Sequence, residues 1–210
     1  MKRDEKNQMM RRRIMDSALL EFSAQGYAGS SINTICAAQD ISKGIVYHYF
    51  ETKDALYLAC VEECFTRLTG YIRAQTACGG ASIDSQLKRY FTLRTDFFRA
   101  HPVYQRIFCE AVISPPAHLK EGVQRCREDF DALNVQMIRQ LLAPVSLRCD
   151  LSEEDVIEIF RQFQDFVNIR CQMAAPDSQT FENREESCLK ALIVLLYGVI
   201  ERKEHEHAEQ

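Results

Sequence analysis

The twenty-three residues from Ser31 to Lys53 constrain this chain more than any other stretch, because they read as two short helices broken by a tight turn. Ser30 and Ser31 are good N-cap residues, and Ile32, Ile35 and Cys36 then recur at helical spacing on one face, so the first short helix packs inward. The pair Gln39-Asp40 interrupts the pattern. Asp is one of the few residues besides Gly that tolerates a left-handed backbone, and Ser42 is placed to cap the next helix. There, Ile41, Ile45 and Val46 are expected to face the core with Tyr49 or Phe50, leaving Lys43, Gly44, Tyr47 and His48 on the opposite side. Gly44 costs a helix about 1 kcal/mol relative to Ala, which makes sense where a backbone must approach another surface closely. A helix of this size fits the DNA major groove, where side chains meet base edges while basic and hydroxyl groups hold phosphates. The segment has the outline of a helix-turn-helix DNA reader.

The rest of the chain also reads as helix. Gly26 closes the first helix, and Thr52 opens a long fourth one expected to reach about Cys78, where Gly79-Gly80 stops it. Ser82 starts a fifth helix that ends before His101-Pro102, and Pro102 suits the first turn of a sixth ended by Ser114-Pro115-Pro116. A seventh is expected from about Pro116 to Leu142. Ser152-Glu153-Glu154-Asp155 marks the start of an eighth that runs to about Ala174, near Pro176, and a ninth spans roughly Phe181 to Glu204. About nine helices and no alternating strand pattern predict an all-α fold.

Composition narrows the class. A chain of 210 residues with 46% apolar content can bury a substantial core. It contains no run of about 18 apolar residues, and the polar start Met1 to Lys6 is not followed by an export signal's apolar stretch, so a cytoplasmic protein without membrane contact is expected. Nine cysteines, an odd number without a Cys-x-x-Cys pair, suit reduced thiols. The net charge of −4 is unevenly placed, for residues 1–53 hold eight Lys or Arg against six Asp or Glu. What counts for an anionic partner is the local patch. Lys2, Arg3, Lys6 and Arg11-Arg12-Arg13 form a basic entrance to the first helix. Lys2 to Lys6 suit a solvated tail as well as a phosphate-binding arm, and at least one of Arg11 to Arg13 is expected to reach phosphate.

The spacing of Ile14-Met-Asp-Ser-Ala-Leu-Leu-Glu-Phe22, Gly26-Tyr27, Ser30-Ser31-Ile32, Ile35 and Ser42-Lys43-Gly44-Ile-Val-Tyr47-His48-Tyr49-Phe50-Glu-Thr-Lys53-Asp-Ala-Leu56 resembles the N-terminal signature of TetR-type transcriptional regulators. The resemblance covers roughly residues 10–60. Two positions depart from it: Asp40 stands where the family usually has the turn Gly, and Gln39 where it usually has Ala. The resemblance implies a three-helix helix-turn-helix DNA-binding domain at 8–68 and a larger helical ligand-binding and dimerisation domain at 69–205. It also implies that Ser31, Asn33, Lys43, Tyr47 and Lys53 touch phosphates or bases, with Ser42 opening the reading helix and Gly44 and His48 at the groove. The protein would be a homodimer joined through its last two helices. Two reading helices about one DNA turn apart call for an inverted-repeat operator, and repression is the implied sign of control.

The larger part carries two further features. In the fifth helix Tyr90, Phe91, Phe97 and Phe98 fall seven apart in two columns with Arg94 on the same face, and Tyr104 and Phe108 follow in the sixth. On the eighth, Arg170 lies in line with Phe160, Phe163 and Val167. Core packing accounts for such a stripe, and so does a pocket for an apolar or aromatic small molecule. An Arg among aromatics needs an acid, either a protein carboxylate such as Glu110 or an anionic group on the ligand. The last helix carries Leu189, Leu192, Ile193, Leu196, Tyr197 and Ile200, a surface that a partner or a monomeric core could cover.

No Gly-rich phosphate loop, Gly-x-Ser-x-Gly or His-Glu-x-x-His is present, so an enzyme is not expected, and neither a cofactor nor a metal site is assigned. The competing reading is a thiol- or metal-responsive DNA-binding sensor, in which Cys60 and Cys64, one helical turn apart, act with His205-Glu206-His207. Buried structural thiols explain the same pair.

Overall fold

The computed structural model describes residues 3–75, 82–173 and 181–200, and every statement below concerns those residues. They form nine α-helices: α1 Arg3–Gly29, α2 Ile32–Ala37, α3 Lys43–Tyr49, α4 Lys53–Gln75, α5 Ile83–Ala100, α6 Pro102–Ile113, α7 Lys120–Leu142, α8 Glu153–Met173 and α9 Phe181–Val199. No strand accompanies them, only an isolated antiparallel bridge between Leu147 and Ile200. The expected all-α architecture is therefore observed. The Gly79-Gly80 stop, the region around Pro176 and the His205-Glu206-His207 tail lie outside the described residues.

Most boundaries fall where local chemistry puts them. Gly26 adopts φ 70, ψ 175, which breaks α1 and lets a final turn from Tyr27 to Gly29 leave in a new direction. Pro102 occupies the first turn of α6, where its missing N–H costs nothing. At α8 the Ser152 hydroxyl accepts from the Asp155 N–H at 3.1 Å while the Asp155 carboxylate accepts from the Ser152 N–H at 2.8 Å, a reciprocal cap. Other boundaries differ from expectation, among them the end of α9, which stops at Val199, short of the expected Glu204, where Ile200 enters the bridge with Leu147. Residues Ala117–Leu119 form a 3₁₀ turn, so α7 begins only at Lys120. And α1 already includes Arg3, so Arg3, Lys6 and Arg11-Arg12-Arg13 ride on a helix.

By packing, the chain divides into two compact units, each with its own core. The first comprises Met1–Ala77 and Arg94–Asp131. Its centre is aromatic: Phe65 lies 5.5 Å from both Phe108 and Phe130, and Phe98 lies 4.9 Å from Phe108. Next to Phe65 in this core, Leu56, Tyr57, Cys60, Val61, Cys64 and Leu68 turn α4's inner face fully away from water. The second unit comprises Cys78–Leu93 and Ala132–Gln210. Here Leu87, Ile138, Val156, Leu192 and Leu196 are buried, and the Tyr90 hydroxyl donates to the Asn134 side-chain oxygen at 2.5 Å.

One polar network ties the first unit together. Arg12 on α1 makes a two-pronged bond to Glu63 on α4 at 2.9 and 2.7 Å and pairs with Asp16 at 2.7 Å. Glu63 also accepts from Arg67 at 3.0 Å and from the Tyr104 hydroxyl at 2.5 Å. Burial alone would push the Glu63 carboxyl up, but the hydrogen bonds from Tyr104 and Arg12 and the charges of Arg12 and Arg67 outweigh it and hold the group below its ordinary value. Such a carboxylate stabilises the fold fully above its unfolded pKa of about 4.3, and that stabilisation is lost as pH falls through the lower folded value. Glu63→Gln should cost about 1–3 kcal/mol near neutral pH. In thermal melts, the gap between variant and wild type should shrink as pH drops below about 4; a gap independent of pH would contradict this.

Candidate nucleic-acid interface

The two short helices form as their caps dictate. Ser31, extended at φ −133, ψ 134, opens α2, and its hydroxyl oxygen accepts from the Asn33 N–H at 3.1 Å. Its own N–H donates to Glu21 at 3.0 Å. The helix ends in a Schellman arrangement: the Ile41 N–H reaches back to the Cys36 carbonyl at 2.9 Å, the Asp40 N–H reaches the Ala37 carbonyl at 3.3 Å, and Asp40 sits at φ 52. Asp40 thus makes the left-handed turn that Gly would make, and Ile41 supplies the buried apolar residue that follows it. Arg13 fastens the turn to α1 by donating to the Gln39 carbonyl at 2.8 Å, and buried Ser17 donates to the Ile35 carbonyl at 2.8 Å.

Ser42 caps α3, its oxygen accepting from the Ile45 N–H at 3.4 Å. Val46 is the one buried residue of α3, at 1% exposure, flanked by Ile41 and Phe50. Lys43, Gly44, Tyr47 and His48 are exposed together, Tyr47 at 46%. Ile45 corrects the expectation, for it was assigned to the core and is instead 38% exposed on the same outward side. A seven-residue helix has two turns, and Val46 alone fills the space beneath it. A Cβ on Gly44 would have no neighbour within 4 Å, so nothing inside the protein requires a glycine there. His48 packs edge-on against Tyr49 at 5.2 Å, and the Tyr49 hydroxyl donates to Asn7 on α1 at 3.1 Å.

The remaining sites are placed as follows. Lys53 donates to the Ser30 carbonyl at 2.8 Å and lies 4.5 Å over the Tyr27 ring, which pins the start of α4 to the α1–α2 junction. Arg12 is engaged with Glu63 and Asp16, Arg13 with Gln39, and Arg11 lies 5.1 Å over Phe50. Of the aromatic stripe, Arg94, Phe97, Phe98, Tyr104 and Phe108 belong to the first compact unit and Tyr90, Phe91, Phe163 and Arg170 to the second. All six aromatics on α5 and α6 are buried, and Phe163 is half-buried. Arg94 rests over Phe108 and Phe130 at 5.3 and 5.8 Å. Glu110, suggested as its acid, accepts instead from the Tyr27 N–H at 2.9 Å and the Tyr57 hydroxyl at 3.0 Å. The side chain of Arg170 lies outside the described residues.

Cys60 and Cys64 are sealed inside the first unit, and burial, with nearby charge at Glu63 for Cys60 and at Cys109 and Cys60 for Cys64, pushes both thiols far up. A metal or an oxidant needs the thiolate. The described residues hold no group of three His, Cys, Asp or Glu side chains set to bind a metal. The sensor reading has no support from this pair. The side chains that organise the head and that the sequence reading missed are Glu21, Glu63 and Ser17, together with the actual role of Glu110; Glu21 lies ten residues before its partner Ser31, while Glu63 reaches Arg12 across 51 positions and Glu110 reaches Tyr27 across 83.

A capped turn between two short helices, with the second presenting Lys, Gly, Tyr and His to solvent, defines a helix-turn-helix DNA-binding protein. Residues 14–60 match the family model of bacterial regulatory proteins of the tetR family. IcaR of Staphylococcus epidermidis, a negative transcriptional regulator of the icaADBC biofilm operon, is 24% identical over 154 residues, or 73% of this chain and 80% of that protein. IcaR of Staphylococcus aureus strain Newman is 32% identical over 76 residues, 36% of this chain and 41% of that relative. In fold the chain is similar to the transcriptional regulator FadR from Bacillus subtilis, with a TM-score of 0.67 and 12% identity over 89% of this chain and 98% of that one. Residues 14–60 thus carry a DNA-binding domain of the tetR type, and over most of its length the chain is similar to a transcriptional regulator. Proteins of that family regulate transcription and are not enzymes.

Two outcomes follow from the local geometry. Asp40→Gly should stabilise the fold by about 0.5–1 kcal/mol and raise the melting temperature, because Gly adopts the left-handed turn without a side-chain penalty; a lower melting temperature would show that the Asp side chain contributes more than the turn costs. In the native protein a thiol reagent should modify exposed Cys149 quickly and Cys60 and Cys64 only at the rate of unfolding, read by mass spectrometry.

Proposed function

We propose that this protein is a cytoplasmic, homodimeric repressor that reads an inverted-repeat operator and is released by a small-molecule effector. The observation that carries the DNA half of the reading is the outward face of α3, where Lys43, Gly44, Ile45, Tyr47 and His48 all meet solvent on a helix locked by its caps. In this reading 8–68 is the DNA-binding part and 69–205 the effector-binding and dimerisation part. Tyr47 and His48 meet base edges, Lys43 and Asn33 meet phosphates, and Gly44 lets the backbone close on the groove. Ser31 and Ser42 use their oxygens as caps and keep their hydroxyl hydrogens for phosphate. Lys53, with one N–H on Ser30, has two left for the same purpose.

For dimerisation the support is apolar surface. Val194 is 73% and Tyr197 50% exposed on α9, and Phe166 on α8 is 55% exposed. A second copy laid against the last two helices would cover them. For the effector the support is the part of the aromatic stripe in the first unit, where Arg94 rests over Phe108 beside Phe98, a setting that suits an apolar or aromatic molecule bearing an anionic group. FadR from Bacillus subtilis was crystallised with stearoyl-CoA, a ligand of that general character. Release follows if the effector fits the protein better when the two reading heads stand at a spacing the operator cannot accept.

The test is binding to the DNA flanking the protein's own gene, followed by a search for small molecules that release it. Binding should weaken steeply with salt. Tyr47→Ala should cost about 1–3 kcal/mol of operator binding without lowering the melting temperature. Gly44→Ala separates folding from reading more sharply, since it should stabilise α3 by up to about 1 kcal/mol yet weaken operator binding. A Gly44→Ala protein that bound operator as well as wild type would remove the close-approach argument.

A further inference from the structure

The break in α1 and the extended entry to α2 leave backbone N–H groups without helical acceptors, among them those of Tyr27 and Ser31. Buried or half-buried, such groups must find partners elsewhere. Glu21, on α1 itself, takes the Ser31 N–H. The Tyr27 N–H is taken by a residue 83 positions away: Glu110 on α6, at 2.9 Å to Oε1 and 3.2 Å to Oε2. The fit is close, for a Cβ on Gly26 would sit 3.0 Å from Glu110 Oε1. Oε2 also accepts from the hydroxyl of fully buried Tyr57 on α4, whose ring packs edge-on against Phe22 and Tyr27 at 5.1 and 5.0 Å. No basic side chain pairs with Glu110 among the described residues, so neutral donors of α1 and α4 hold this carboxylate.

From Tyr27 the connections run straight into the reading head. The Tyr27 carbonyl accepts from the Ser30 hydroxyl at 2.8 Å, and the Ser30 carbonyl accepts from Lys53 at 2.8 Å. The next residue, Ser31, caps α2. We propose that Glu110 is a positioning residue for DNA reading: through the Tyr27 N–H, α6 sets where α2 begins, and with it the attitude of both short helices. Neither Glu110 nor the Tyr27 amide need touch DNA for this. The inference rests on the outward face of α3 being the DNA-reading surface, and it gives that surface a partner in α6, through which a displacement of α6 would reach it.

The test uses the full-length protein with two substitutions. Glu110→Gln keeps the reach, since its amide oxygen accepts from the Tyr27 N–H and its NH₂ donates to the Tyr57 oxygen. Glu110→Asp keeps the charge but withdraws the carboxylate by about one C–C bond, 1.5 Å. Each is titrated against a duplex that the wild-type protein selects from a random pool and against an unselected duplex of equal length, and amide hydrogen exchange is followed at Tyr27 and Asn33. Glu110→Asp should lose about tenfold in the ratio of selected to unselected affinity and exchange Tyr27 faster, whereas Glu110→Gln stays within about threefold on both. A general loss of stability would lower both affinities alike and leave their ratio unchanged. The proposal is overturned if the Asp variant keeps the wild-type ratio, or if Gln is as impaired as Asp, which would make charge the relevant property. A wild-type protein that selects no duplex would sink the DNA reading itself, while exchange at Tyr27 would still report whether Glu110 holds that amide.

Discussion

Helices of six and seven residues do not persist in water alone, where about 12–15 residues are needed for marginal stability. The two helices of the reading head, α2 and α3, have those lengths, so their existence depends on what surrounds them. The long α1 supplies part of it. Its Ile14, Ala18 and Phe22 are buried, and its Ser17 and Arg13 bond the carbonyls of Ile35 and Gln39, which these short helices leave over. The head is thus a surface feature held in shape from behind, and the same backing extends through Glu63 to α4 and through Glu110 to α6.

This arrangement explains what could be read from sequence. Ser31, Asp40, Ser42 and Ser152 act on backbone groups two or three residues away or through their own dihedral angles, so their roles are written in short words of sequence. The all-helical class followed from Pro, Gly and cap residues in the same way. Ile45 was misplaced because two turns of helix do not define a face; the shape of the floor beneath decides it, and that floor comes from other segments. The partners of Glu63 and Glu110 lie up to 51 and 83 residues away, and no local pattern announces them. The columns of Tyr90, Phe91, Phe97 and Phe98 were legible as a buried stripe. Periodicity carries no information on whether such a stripe packs on protein alone or on a guest.

Charge was the least transferable count. Residues 1–53 contain eight basic side chains, but Arg12 goes to Glu63 and Asp16, Arg13 to a carbonyl, Arg11 to a ring face and Lys53 to another carbonyl. Much of the cationic character near the head therefore also serves to assemble it. This explains how a chain of net charge −4 can carry a helix-turn-helix. Hydroxyls, backbone N–H groups and a few free amines remain as the outward chemistry, and they act at contact distance where bulk charge acts from afar.

The single anchoring side chain of α3, Val46, has a wider consequence. Because one valine and its two flanking residues hold that helix, Lys43, Ile45, Tyr47 and His48 are nearly independent of folding. On the proposed reading, lineages descending from such a scaffold can rewrite these four letters and acquire new target sites without first surviving an unstable intermediate, because the frame beneath does not depend on them.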